Sequence, residues 1–433
     1  MKGNAYVPFM LRRGDGSTLS LDFTALGSLD SRFTFTRNSI GTYTNSSGIV
    51  TTMAAAASND PTKARFDYDP TTLTARGLLI EGSAINLLVR SEDMATATFP
   101  GWGVRTNLNT TGISGQGSPD GASTAVKIIP NTTNGFHILG TGSVSISSGV
   151  QYTLSVFVKP SGYGVVGLVA TNSQTRASFN LANNSSSSYG ISNTRTITAY
   201  PNGWYRVSMT WTTTVTSVDI WLAVQNTEQD PVTSWIGNNT DSVTVWGAQL
   251  ELGSASSYIP TGSSTVQRVA DTCIAASTGF SSWFTGGTSG TFYADWYGGV
   301  RGITSTVRSV LSTSDVTGRH LHMQQTAAAG NLKVADFGAA NVVTTSNSIT
   351  SGARTKGAFS FSGGTVNLTL NGGTVATSSS LAFSTAPTWL VLGGTSTDGS
   401  TNTDATVLLN GSIRAIKYWP SVLPTATLQS LTT

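Results

Sequence analysis

Three stretches of this chain alternate apolar and polar residues with a period of two, and that period fixes the kind of structure open to them. In 152–159, Tyr152, Leu154, Val156 and Val158 share one face, while Thr153, Ser155, Phe157 and Lys159 share the other. In 205–211, Tyr205, Val207, Met209 and Trp211 oppose Arg206, Ser208 and Thr210. In 218–224, Val218, Ile220, Leu222 and Val224 oppose Asp219, Trp221 and Ala223. With 126–129, 177–181 and 243–252, these make six strands separated by turns, the pattern of a β-sandwich and most simply a jelly roll. The 47 glycines and the Ser, Thr and Asn runs supply turns, and hydrophobic residues reach 38%, which excludes a disordered chain. At 433 residues there is room for two or three domains. The expected fold class is all-β: an N-terminal β-rich attachment module followed by two β-sandwich (jelly-roll) domains.

Net charge is +3 without a basic tract, which argues against nucleic acid as a partner. No run of eighteen apolar residues predicts membrane insertion by a helix. The opening MKGNAYVPFMLRRGDG lacks an apolar core and a small-residue cleavage site, against a secretory signal. Cys273 stands alone, so no intrachain disulfide forms.

Only 10% of residues are charged, yet 64–94 (ARFDYDPTTLTARGLLIEGSAINLLVRSEDM) collects Arg65, Asp67, Asp69, Arg76, Glu81, Arg90, Glu92 and Asp93. Such mixed charge points to a fixed polar network, with Arg65, Asp67, Asp69, Arg76, Glu81 and Arg90 as its members. The order R-F-D-Y-D-P, R-G-L-L-I-E, N-L-L, R-S-E-D resembles a signature of bacteriophage tail, fibre and head-spike proteins. WGAQLE at 246–251, SYIPT at 257–261 and RVAD at 268–271 resemble the same proteins. The resemblance implies a structural role and no catalytic residue.

Residues 1–95 read as an N-terminal attachment and oligomerisation module, with a hairpin from Gly41–Tyr43 to Ile49–Thr51 and a helical turn available at Met53–Ser58. Residues 96–259 resemble a carbohydrate-binding-module sandwich through the 152–159 strand and Gly203-Trp204-Tyr205-Arg206-Val207. Residues 260–290 read as a connector. Residues 291–433 resemble a laminin-G/concanavalin-like sandwich: a strand ending in Asn371-Gly372, the Leu390-Val391-Leu392-Gly393-Gly394 run, then GSIRAIKYWP and a short closing helix.

The outward residues Phe157, Arg206, Asp219 and Trp221, with Lys127 and Lys159 nearby, form a candidate glycan surface. Aromatic rings stack on sugar C–H faces while polar groups hold the hydroxyls. The competing reading packs these rings against a neighbouring module or subunit. His320 and His322 share a strand face but lack a third ligand at recognisable spacing, and the Asp398–Asp404 loop does not match an ordered calcium loop. No metal and no cofactor are expected. Asp67 with Asp69, or Glu92 with Asp93, could be nominated for glycoside hydrolysis, but the neighbouring arginines favour salt-bridged structure.

These readings converge on a non-enzymatic structural virion protein of a bacteriophage, a fibre, spike or tail appendage made in the host cytoplasm. Its expected partners are its own copies in a homotrimer, other virion proteins and host surface glycan. The alternatives are a glycan-degrading depolymerase with accessory sandwiches, or a bacterial lectin or adhesin.

Overall fold

The computed structural model describes residues 14–25, 27–96, 101–172, 174–298, 307–315, 320–326, 330–336, 343–350, 352–379, 386–401 and 407–433. The protein is all-β with antiparallel sheets. It divides into two compact units, one of residues 36–271 and one joining residues before 36 to residues after 271.

In the first unit twelve strands build a sandwich: β1 (Val104–Thr106), β2 (Leu108–Asn109), β3 (Val126–Pro130), β4 (His137–Ser145), β5 (Gln151–Ser161), β6 (Val165–Ala170), β7 (Thr175–Asn180), β8 (Ser185–Gly190), β9 (Thr194–Tyr200), β10 (Trp204–Thr212), β11 (Ser217–Gln225) and β12 (Ser242–Leu252). The first sheet runs β9-β10-β5-β12-β3-β2 and the second β8-β7-β6-β11-β4-β1. Alternation sends Leu154, Val156, Val207, Met209 and Trp211 inward from the first sheet, to meet Leu168, Phe179, Ile220, Leu222 and Val224 from the second.

One glycine sets the packing outside that core. In β12, Val245 faces inward and Trp246 outward, and Ala248 is inward again, because the pairing with β5 shifts register between Ser155 and Phe157. Gly247 takes the extra step at φ 63°, and a Cβ there would stand 3.1 Å from Tyr258 and 3.2 Å from Phe157. The Trp246, Tyr258 and Phe157 rings close over that gap. Before the sandwich, Gly41–Thr44 pairs with Val50–Met53 as a hairpin, and Arg65–Tyr68 pairs with Ala75–Ile80. No helix forms at 53–58, where Ala56 bridges Arg37 instead.

In the second unit one sheet places Leu19–Asp22 beside Gly411–Trp419, followed by Gly290–Tyr297, Arg354–Ser362, Thr365–Leu370 and Ala376–Ser378. The other runs Thr272–Ala276, Trp389–Leu392, Arg308–Ser314, His320–Gln325, Asn331–Asp336, Val343–Ser348. Trp283, Phe284, Phe292, Phe359 and Tyr418 stack in its core, and a helix at Thr425–Thr432 buries Leu428.

These divisions correct the expected boundaries at 95, 259 and 290. Leu19–Asp22 is an edge strand of the C-terminal unit, because its register with Tyr418 and Ile416 buries Leu19 and Leu21. Residues 36–95 belong to the same unit as the central sandwich. The expected connector holds a strand pairing with Ala84–Asn86, a strand at Thr272–Ala276 and a short helix at Ser277–Ser281.

Candidate functional site

Arg65 opens the strand Arg65–Tyr68, and its side chain is fully buried. One guanidinium nitrogen donates to Glu81 Oε2 at 2.7 Å and to the Thr42 carbonyl at 2.8 Å, and the other donates to Asp271 Oδ2 at 2.6 Å. Arg37 donates to the remaining oxygen of Asp271 at 3.1 Å, and Arg268 lies 3.4 Å from Glu81. Ser257 gives Glu81 two further bonds, from its backbone N–H and its hydroxyl. Three guanidiniums and two carboxylates thus interlock, with every charged side chain at 6% exposure or less.

Burial alone would push the Glu81 carboxyl up, but Arg268, Arg65 and the Ser257 bonds outweigh it and hold it at about 2. Burial would likewise weaken Arg65, and its two carboxylates more than restore its charge. Arg37 is lowered, because burial and the nearby Arg65 outweigh Asp271. Glu251, bonded to Gln249 and Ser256, is raised by burial. The arrangement uses its charges on one another across the segments 37–42, 65–81 and 257–271.

The six network residues named from sequence separate into different places. Arg65 and Glu81 sit in the buried cluster. Asp67 is two residues away, where its carboxylate accepts the Thr44 N–H at 2.8 Å and burial pushes it up to about 6. Asp69 and Arg76 pair at 2.7 Å across the hairpin turn, part-exposed, with Asp69 also capping the Thr71 and Thr72 N–H groups. Arg90 pairs with Asp93 at the surface. Sequence reasoning did not place Arg37, Arg268 and Asp271 in the network, although the RVAD run carries two of them.

The carboxylates nominated for hydrolysis are likewise engaged. Glu92 accepts from the Tyr258 hydroxyl at 3.1 Å, and Asp93 is held by Arg90. Among the described residues no group of three His, Cys, Asp or Glu side chains could hold a metal. His322 is buried with Gln324 donating to its Nδ1, while the side chain of His320 and residue Asp404 lie outside the described residues. Asp398 turns its oxygens onto Ser400, Thr401 and Ser396 of its own loop.

The glycan constellation is corrected. Phe157 is only 1% exposed, enclosed by Trp204, Trp246, Tyr258 and Val50 on the outside of the first sheet. It cannot meet a sugar. Arg206 lies over the Phe157 ring at 5.4 Å and donates to the Ser256 carbonyl and the Ser155 hydroxyl, which closes that face. Asp219 and Trp221 point outward from β11 in the second sheet, on the opposite side of the sandwich. Strand parity separates inside from outside, but two outward residues share a surface only if their strands share a sheet.

No protein-family model matches the chain, and no curated protein matches it either. Solved structures similar to parts of it include a native heptameric SAP-like pentraxin from Limulus polyphemus, at 13% identity and TM-score 0.29, covering 34% of this chain and 70% of that one. Another is the mouse laminin alpha1 chain, domains LG4-5, at 10% identity and TM-score 0.24, covering 68% and 92%. A third is a leech intramolecular trans-sialidase complexed with 2,7-anhydro-Neu5Ac, at 20% identity and TM-score 0.27, covering 34% of this chain and 23% of that one. At TM-scores this low the likenesses carry no functional argument. The class defined by the sheets themselves is an all-β sandwich protein.

Proposed function

We propose that this protein is a structural subunit of a bacteriophage virion, a fibre, spike or tail appendage, that it is not an enzyme, and that it touches host surface glycan. The observation that carries this is the fate of the signature residues. Arg65 and Glu81, with Ser257, Arg268 and Asp271 from the later matching runs, interlock in one buried cluster. Groups that bind one another at 2.6–3.4 Å in a buried interior stiffen a framework and leave neither Glu81 nor Asp271 free to act on a substrate. A rigid, low-charge β framework suits an appendage that meets the outside of a cell. Its partners are then its own copies, most simply as a homotrimer, and other virion proteins, and its location is the assembled particle.

The test is immunogold electron microscopy with antiserum raised against the purified protein, applied to particles of the phage that encodes it. Label at a fixed place on intact particles is expected. Particles that stay unlabelled after mild disruption as well, while the lysate carries the antigen, overturn the proposal.

A further inference from the structure

We propose that the outer face of the second sheet holds a neutral pyranose residue of a glycan, with Trp221 as stacking platform and Asp219 as hydroxyl acceptor. This rests on the host-contact reading above and names the place and the ligand class. The register explains the platform. Trp221 on β11 lies directly opposite Gly140 on β4, and a Cβ at Gly140 would come within 2.4 Å of the indole Cδ1. The missing side chain lets the indole lie down across β4. Phe136, just before β4, sets its ring parallel to the indole, 11° between planes and 6.2 Å between centres. Both rings are part-exposed, so the stacked pair presents an apolar aromatic shelf that solvent reaches.

Asp219 stands two residues from Trp221 on the same strand and the same face. Its side chain is part-exposed, and among the described residues nothing donates to its carboxylate. Its cross-strand neighbour Ser143 is exposed. An exposed aromatic surface bordered by a free carboxylate matches a pyranose, whose C–H face is apolar and whose rim presents adjacent hydroxyls for one carboxylate to accept.

Charge narrows the ligand. The cation on the same row, Arg176, is held bidentately by Asp230 at 2.8 and 2.9 Å. The free charge beside the shelf is therefore the negative one of Asp219, which repels sialic and uronic acids. Neutral hexoses and N-acetylhexosamines fit.

The test is an array of neutral hexose and N-acetylhexosamine oligosaccharides beside sialylated and uronate-bearing ones, probed with the full chain at several concentrations. Binding to neutral glycans is expected. Trp221→Ala and Asp219→Asn should each weaken it by about tenfold or more, and Trp221→Phe, which keeps a ring, by less than Trp221→Ala. Melting temperatures of all three should stay close to wild type, and any variant that melts early is set aside in favour of the other two. Preference for acidic glycans, unaltered binding by both Trp221→Ala and Asp219→Asn, or no glycan binding with loss of self-association in Trp221→Ala overturns the proposal. Immunogold labelling does not depend on this face, so the array can fail while the virion assignment stands.

Discussion

Replacing Arg65 by methionine removes the centre of the buried cluster while keeping most of its volume. Four contacts go: Glu81, Asp271, the Thr42 carbonyl and the Ser257 hydroxyl. Glu81 retains Arg268 at 3.4 Å and Asp271 retains Arg37 at 3.1 Å, so neither carboxylate is abandoned, but both lose their shortest charged partner. Breaking a buried ion pair costs about 3–5 kcal/mol, because the remaining charge stays desolvated. At roughly 2–4 °C per kcal/mol for a domain of this size, the unit of residues 36–271 should melt roughly 6–20 °C lower. Differential scanning calorimetry at neutral pH reads this directly, with Arg90→Met as the comparison. Its partner Asp93 is 49% exposed, and an exposed pair is worth at most about 1 kcal/mol. If Arg65→Met melts within the range of Arg90→Met, the cluster does not hold the unit together.

Asp67 and Glu81 bend the pH profile in opposite directions. The folded Asp67 carboxyl is raised to about 6, so its share of stability is full below its unfolded value and lost as pH rises through 6. Glu81 is lowered to about 2, so its share is present above its unfolded value and lost as pH falls toward 2. Melting temperature should therefore peak between roughly pH 4 and 6, and Asp67→Asn should flatten the upper limb; an unchanged limb in that variant contradicts the assignment. Arg76→Ala should cost under about 1 kcal/mol by urea unfolding, since the Asp69 pair is part-exposed, and a loss equal to that of Arg65→Met would place it in the buried cluster after all. Gly247→Ala should lose about 1–3 kcal/mol in the same assay, because its φ is 63° and its Cβ would press on Tyr258 and Phe157. Sedimentation velocity should find a trimer, and a stable monomer at micromolar concentration would remove the homotrimer.

What the sequence made legible was whatever a local period could carry. The strands at 151–161, 204–212 and 217–225 stand where alternation put them, with the anticipated residues inward. Strands at 137–145, 165–170 and 185–190 were not visible. Gly140, Gly142 and Gly167 or a run of serines interrupts their alternation; 137–145 and 165–170 are strands because neighbours pair with both their edges, and 185–190 because it pairs with Thr175–Asn180 at the rim of the sheet. The network was half legible. Arg65 and Glu81 fall in one charged stretch, whereas Arg37 reaches Asp271 across 234 residues, a contact no local pattern encodes. The glycan set failed for a similar reason, since the sheet to which β10 or β11 belongs depends on long-range pairing.

The most direct measurement of the central claim is an electron cryo-microscopy reconstruction of the particle to which the proposal assigns this protein. The account predicts an appendage whose density fits the two units of this chain in symmetric copies, with the Trp221 face turned toward solvent at the host-facing surface. A complete reconstruction that leaves no density for these sandwiches would contradict it.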